Sequence, residues 1–131
     1  MKVLVGFLKT PEGEAALTAA LAEAELRGAT LVIVHSLYGG GRDESQLPAY
    51  TKSLQEVEQR LGAAGVDFQI RELVRGKAPG DDLLSFAAEE DVDMIVIGIR
   101  RRSPVGKLIL GSNAQDILLG ADCPVLAVKP A

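Results

Sequence analysis

The sequence predicts an α/β fold in which about four helices sandwich a five-stranded parallel sheet. Short aliphatic runs recur along the chain: KVLVGFL (Lys2–Leu8), LVIV (Leu31–Val34), MIVIG (Met94–Gly98) and PVLAV (Pro124–Val128). Near-continuous apolar runs of this length suit strands covered on both faces. Helical periodicity fills the intervals, and the resulting βαβαβαβαβ order implies right-handed crossovers. A length of 131 residues, with 47% hydrophobic and 24% charged residues, fits one domain around one core, expected to span residues 1–131.

Each element has its own signal. After the first strand, Thr10 and Pro11 read as a cap followed by an N1 proline. Leu17, Ala20, Leu21 and Ala24 then follow at helical spacing, and Gly28 ends the helix. Leu54, Val57, Leu61 and Ala64 form a second stripe. From Val66 to Val74, apolar Val66, Phe68 and Ile70 alternate with Asp67, Gln69 and Arg71, which marks an edge strand with one wet face. A third helix starts near Pro79 with the stripe Leu84, Ala87 and Ala88, and its first turn holds Asp81 and Asp82 beside the positive end of the dipole. A fourth begins at Ser112, where Ser112-Asn113-Ala114-Gln115 reads as a capping box with the serine at N-cap. Tyr38–Pro48 (YGGGRDESQLP) is the one long loop.

Composition excludes several functions. The formal charge of -4 and a single short basic cluster argue against duplex nucleic acid as a partner. No run of about 18 apolar residues is present, so a cytoplasmic protein with no membrane partner is expected. Cys123 is the only cysteine and His35 the only histidine, which removes an internal disulfide, a multi-cysteine or histidine-rich metal site, and a recognisable Ser/His/Asp triad.

The basic cluster is GIRRRSPVGKLILGSN (Gly98–Asn113), with Arg100, Arg101, Arg102 and Lys107 and no acid. It leaves the carboxyl end of the fourth strand, where open α/β sheets bind ligands, and it leads into a helix N-terminus that offers free N–H groups. Two readings fit these residues equally: a phosphate cradle, or a well-capped helix start preceded by a solvated turn. It is not a Walker A loop, because Leu108 follows Gly106-Lys107 where Ser or Thr belongs. A receiver domain would need acids after the first strand and an aspartate after the third, where the sequence has FLKT and VRGK. The serine- and glycine-rich loop of an adenylating pyrophosphatase is missing after the first strand as well.

At these residues the chain resembles the universal stress protein family, whose fingerprint is G-x-x-G-x9-G-S/T. Gly98 and Gly111-Ser112 stand at the family spacing, and KVLVGFLKTPEGEAAL, LVIVHS, VRGKAP, DMIVIG and CPVLAVK extend the resemblance over the whole chain. The resemblance implies a sheet in the order 3-2-1-4-5, ATP binding, and homodimers formed through the last strand, Pro124 to Lys129. The implied ATP site comprises Gly6, Phe7 and Leu8 after strand one, Ser36 after strand two, and Gly98, Arg100, Arg101, Gly111, Ser112 and Asn113. Two positions depart from the family pattern: Arg101 replaces the second fingerprint glycine, and Leu8 falls where relatives carry a nucleoside-contacting aspartate. The leading expectation is a stress-response regulator that binds an adenine nucleotide and turns it over slowly, if at all. The alternative is a dimeric interaction module of the same family without nucleotide binding.

Overall fold

The structure, a computed structural model, describes residues 1–6, 10–36, 47–73, 79–100 and 111–130. The elements are β1 (Lys2–Gly6), α1 (Pro11–Arg27), β2 (Thr30–Ser36), α2 (Leu47–Ala64), β3 (Phe68–Leu73), α3 (Pro79–Glu89), β4 (Met94–Gly98), α4 (Ser112–Gly120) and β5 (Val125–Val128). The five strands form a parallel sheet in the order β3-β2-β1-β4-β5, as expected. The apolar middle of β1 follows from its place at the centre, where Val3, Leu4 and Val5 have no exposed surface.

Alternation of side chains divides the core into two layers. Val3, Val5, Leu31, Ile33 and Val96 face α1 and α2, whereas Leu4, Val32, Val34, Ile95 and Ile97 face α3 and α4. On β3, Phe68 and Ile70 pack against the first layer while Gln69, Arg71 and Glu72 are exposed, the pattern of an edge strand. Arg71 nonetheless ties this edge down. Its Nη2 lies 2.9 Å from Glu90 Oε1, and its guanidinium carbon stands 5.9 Å from the centre of the Phe86 ring.

Helix α1 begins and ends where the residues indicate. Gly13 N donates to Thr10 Oγ1 at 3.0 Å, Pro11 opens the helix, and Gly28 closes it at φ 62°. The stripe expected on α3 is rotated: Leu83, Phe86 and Ala87 are buried, Leu84 is half-buried and Ala88 is exposed. Burying Leu83 and Phe86 removes far more apolar surface from water than burying Ala88. On α2, Val57 and Leu61 are buried and Ala64 is exposed. The capping box on α4 is also displaced by one residue. Gln115 N donates to Gly111 O at 3.0 Å, and Gly111 holds the extended cap geometry, φ -63° and ψ 155°. An N-cap residue is non-helical and its carbonyl takes the first helical bond, so Gly111 is the cap and Ser112 is the first helical residue.

Beyond the buried face of α1, one close backbone contact sets its first turn against the sheet. A Cβ on Gly98 would run into the Glu12 carbonyl, 2.5 Å from its carbon, so this glycine admits the first turn of α1 to the end of β4. Gly98→Ala is expected to cost about 1–3 kcal/mol in urea unfolding, the scale of overpacking against backbone. Thr10→Ala at the other contact of the same turn is expected to cost about 0.5–2 kcal/mol by the same measurement.

Candidate functional site

Parallel strands put every strand's carboxyl end, and the start of each following helix, on one side of the sheet. The chain runs outward from β1 to β2 and β3, then returns to β4 on the opposite flank of β1. This reversal makes the β1/β4 boundary a topological switch point, the place where open sheets leave a crevice for ligands. Gly6 ends β1 and Gly98 ends β4 on either side of that boundary. Ser36 ends the neighbouring β2, and α1 and α4 begin on the same side at Pro11 and Ser112. Their free N–H groups and the positive ends of their dipoles favour an anion there.

The candidate residues play different parts. Gly6 is half-buried, and a Cβ there would meet no described atom within 4 Å. Gly98 is a packing residue, required by α1. Gly111 is exposed, has a φ of -63° that any residue adopts, and a Cβ there would also meet no described atom. Asn113 is committed to the fold: its Oδ1 accepts from Gly80 N at 3.1 Å, which joins the first turn of α4 to that of α3. Arg100 has 82% of its side chain exposed, and its Nε lies 3.8 Å from Glu12 Oε1. An ion pair this open to water stabilises by less than about 1 kcal/mol, so its guanidinium can change partners cheaply. Phe7, Leu8 and Arg101 lie outside the described residues, as do Arg102, Lys107 and residues 38–46 of the expected loop Tyr38–Pro48, which ends two residues early because Leu47 and Pro48 open α2.

Three residues near these helix starts carry roles that residue type alone did not mark. Glu12 supplies both the carbonyl packed on Gly98 and the carboxylate beside Arg100. Gly80 gives α3 its close approach to α4, where a Cβ would stand 3.1 Å from Asn113 Cα. Asp82 is completely buried while its neighbour Asp81 is exposed. Asp82 is four residues before the buried Phe86 and shares its face, whereas the adjacent Asp81 is turned about 100° away around the helix. His35 is half-buried on β2, in register with Glu72 of β3. Among the described residues no three His, Cys, Asp or Glu side chains are grouped to hold a metal ion, and no helix is long and apolar enough to cross a membrane.

Residues 1–129 match the sequence model of the Universal stress protein family. A universal stress protein of Mycolicibacterium smegmatis is 39% identical over 128 residues, which covers 98% of this chain and 97% of the relative. The solved structure of a universal stress protein from Archaeoglobus fulgidus superposes with a TM-score of 0.84 at 42% identity, covering 98% of both chains. Another Archaeoglobus fulgidus universal stress protein, solved in complex with dAMP, superposes with a TM-score of 0.76 at 34% identity, again covering 98% of both. The sheet order, the switch-point glycines and these full-length similarities lead to one assignment: the chain belongs to the universal stress protein family.

Proposed function

We propose that this chain is a cytoplasmic stress-response regulator that binds an adenine nucleotide, ATP included, at the carboxyl end of the sheet. The observation that carries this reading is Gly111. Neither its φ nor a described neighbour demands a glycine, and the residue caps α4 beside the switch point. Close approach by a phosphate to a helix N-terminus is a physical reason for a bare backbone there. The relative solved with dAMP supports the nucleotide class. At Gly6 a Cβ would meet no described atom within 4 Å, and Arg100 can exchange Glu12 for phosphate oxygens at little cost.

A second reading, a family member that works by protein contact without nucleotide, draws on a specific observation. Arg100 is turned toward Glu12, and the Asn113 oxygen is used by Gly80. Calorimetric titration of ATP, AMP and inorganic triphosphate separates the two. Saturable binding of at least one nucleotide is expected, weakened at least about tenfold by Gly111→Val in protein that is still folded; because Gly111 is the N-cap of α4, the same change is expected to cost about 0.5–2 kcal/mol of unfolding free energy. Arg101→Ala is expected to weaken triphosphate binding by about 1.5–3 kcal/mol, the scale of one charged hydrogen bond. Absence of binding by all three ligands, in parent and variants, selects the protein-contact reading.

The same proposal includes a homodimer joined through residues 124–129. β5 pairs with β4 on one side, its segment VLAV carries no charge, and Val125, Leu126 and Val128 stay half-buried where central strands are fully covered. Such an edge favours antiparallel addition of a second copy across a two-fold axis. Light scattering at micromolar concentration is expected to give twice the chain mass, and Leu126→Lys is expected to give the monomer.

A further inference from the structure

The amino end of the sheet has the opposite electrical character. There α3 and α4 terminate, at Glu89 and Gly120, while β4 and β5 begin. Between these four elements lies a cavity of about 240 Å³, larger than the roughly 150 Å³ void that accepts benzene in a protein core. Leu84, Ala87, Val92 and Ile95 give it an apolar floor. Gly120 shapes one wall: a Cβ there would stand 2.8 Å from Leu84 Cδ1, so the glycine leaves room for that side chain.

Every charge that lines the cavity is negative. Asp91 and Asp122 are both exposed, and neither has a hydrogen-bond or ion-pair partner among the described residues. Asp91 holds a left-handed conformation, φ 51°, at the turn that ends α3, with Val92 N donating to Ala87 O at 3.0 Å. Aspartate is one of the few residues other than glycine that adopt this conformation, so the turn accommodates a carboxylate at this rim. The carbonyl ends of α3 and α4 add partial negative charge to the same mouth. This helix end already receives one ammonium group from outside the cavity: Lys2 Nζ donates to Glu90 O at 3.1 Å and lies 3.6 Å from Glu90 Oε2. Cys123 completes the lining. Burial, and then the charges of Asp122 and Asp93, push its thiol up from the ordinary range, which leaves it neutral at physiological pH and compatible with an apolar ligand chain.

We propose that this cavity is a second small-molecule site, one that takes an aliphatic ammonium ion. The alkyl chain lies on Leu84, Ala87 and Ile95, and the charge meets Asp91, Asp122 and the carbonyl ends of α3 and α4. The site is independent of the nucleotide crevice, which occupies the other end of the sheet.

Three four-carbon probes of different charge test it on the parent protein by amide NMR at matched ionic strength: n-butylammonium chloride, 1-butanol and sodium butyrate. Saturable shifts are expected with n-butylammonium at residues 84–95 and 120–123, with the other two probes at least about tenfold weaker. The ammonium probe is also expected to slow iodoacetamide alkylation of Cys123. The double variant Asp91→Asn, Asp122→Asn should lose the preference for the cation, and Ala88→Leu, at the exposed lip, should block all three probes. Equal shifts from butanol and butylammonium would overturn the proposal, because the recess would then select by apolarity alone. Linear, unsaturating shifts, or shifts elsewhere on the protein, would overturn it too. The comparison among probes needs only the parent, so a variant that fails to fold does not weaken the test.

Discussion

The architecture rests on a central strand shut off from water. β1 is paired with β2 on one side and β4 on the other, and Val3, Leu4 and Val5 lie beneath helices on both faces. A strand so placed can carry no charge in its middle, and every backbone group must find a partner within the sheet. Two helical layers are then obligatory. So is a reversal of chain direction across β1, since sequential additions on one side alone would leave the other edge of this apolar strand open. The topological switch point at the β1/β4 boundary is the consequence of that reversal. Gly98 allows α1 to reach it, and Asn113 joins α3 and α4 on the same side.

Much of this was legible in the chain. Apolar runs located the strands because complete burial leaves little choice of residue. Thr10, Pro11 and Gly28 marked α1 at both ends because capping geometry restricts residue type locally. The alternation at Val66–Ile70 identified β3 as an edge because one of its faces meets water. Local patterns failed where partners are remote. Ser112-x-x-Gln115 fits a capping box, but hydrogen bonding begins one residue earlier, at Gly111. Asp81 and Asp82 are chemically identical and adjacent, and only packing decides that the second is buried. Asn113, which the resemblance implies as a ligand contact, has in addition a partner the local sequence does not indicate: its oxygen accepts from Gly80, 33 residues away. Gly98 matched a binding fingerprint, whereas its immediate demand comes from the backbone of Glu12. A residue can satisfy a functional spacing and be required by packing, and spacing does not separate the two.

The parallel arrangement also sorts charge by direction. Helix starts gather beside the strand ends, and helix ends gather beside the strand starts, so the molecule has an anion-seeking side and a cation-seeking side before any side chain is counted. Side chains reinforce this bias unevenly. Glu12 tempers the positive side by holding Arg100. On the negative side, Lys2 meets the end of α3 at Glu90, while Asp91 and Asp122 remain without cations among the described residues.

The staple at Arg71 has a bearing on crowding. β3 presents exposed Gln69, Arg71 and Glu72, with Arg71 held by Glu90 and Phe86, while β5 presents only Val, Leu and Ala. A sheet with two adhesive margins could grow without limit, each new copy offering a fresh margin to the next. Here one margin is charged and braced, so joining two molecules at the other uses up the adhesive capacity of both. If two copies join at β5, as proposed, the charged margin at β3 offers no further edge for a third copy, which disfavours growth into ribbons.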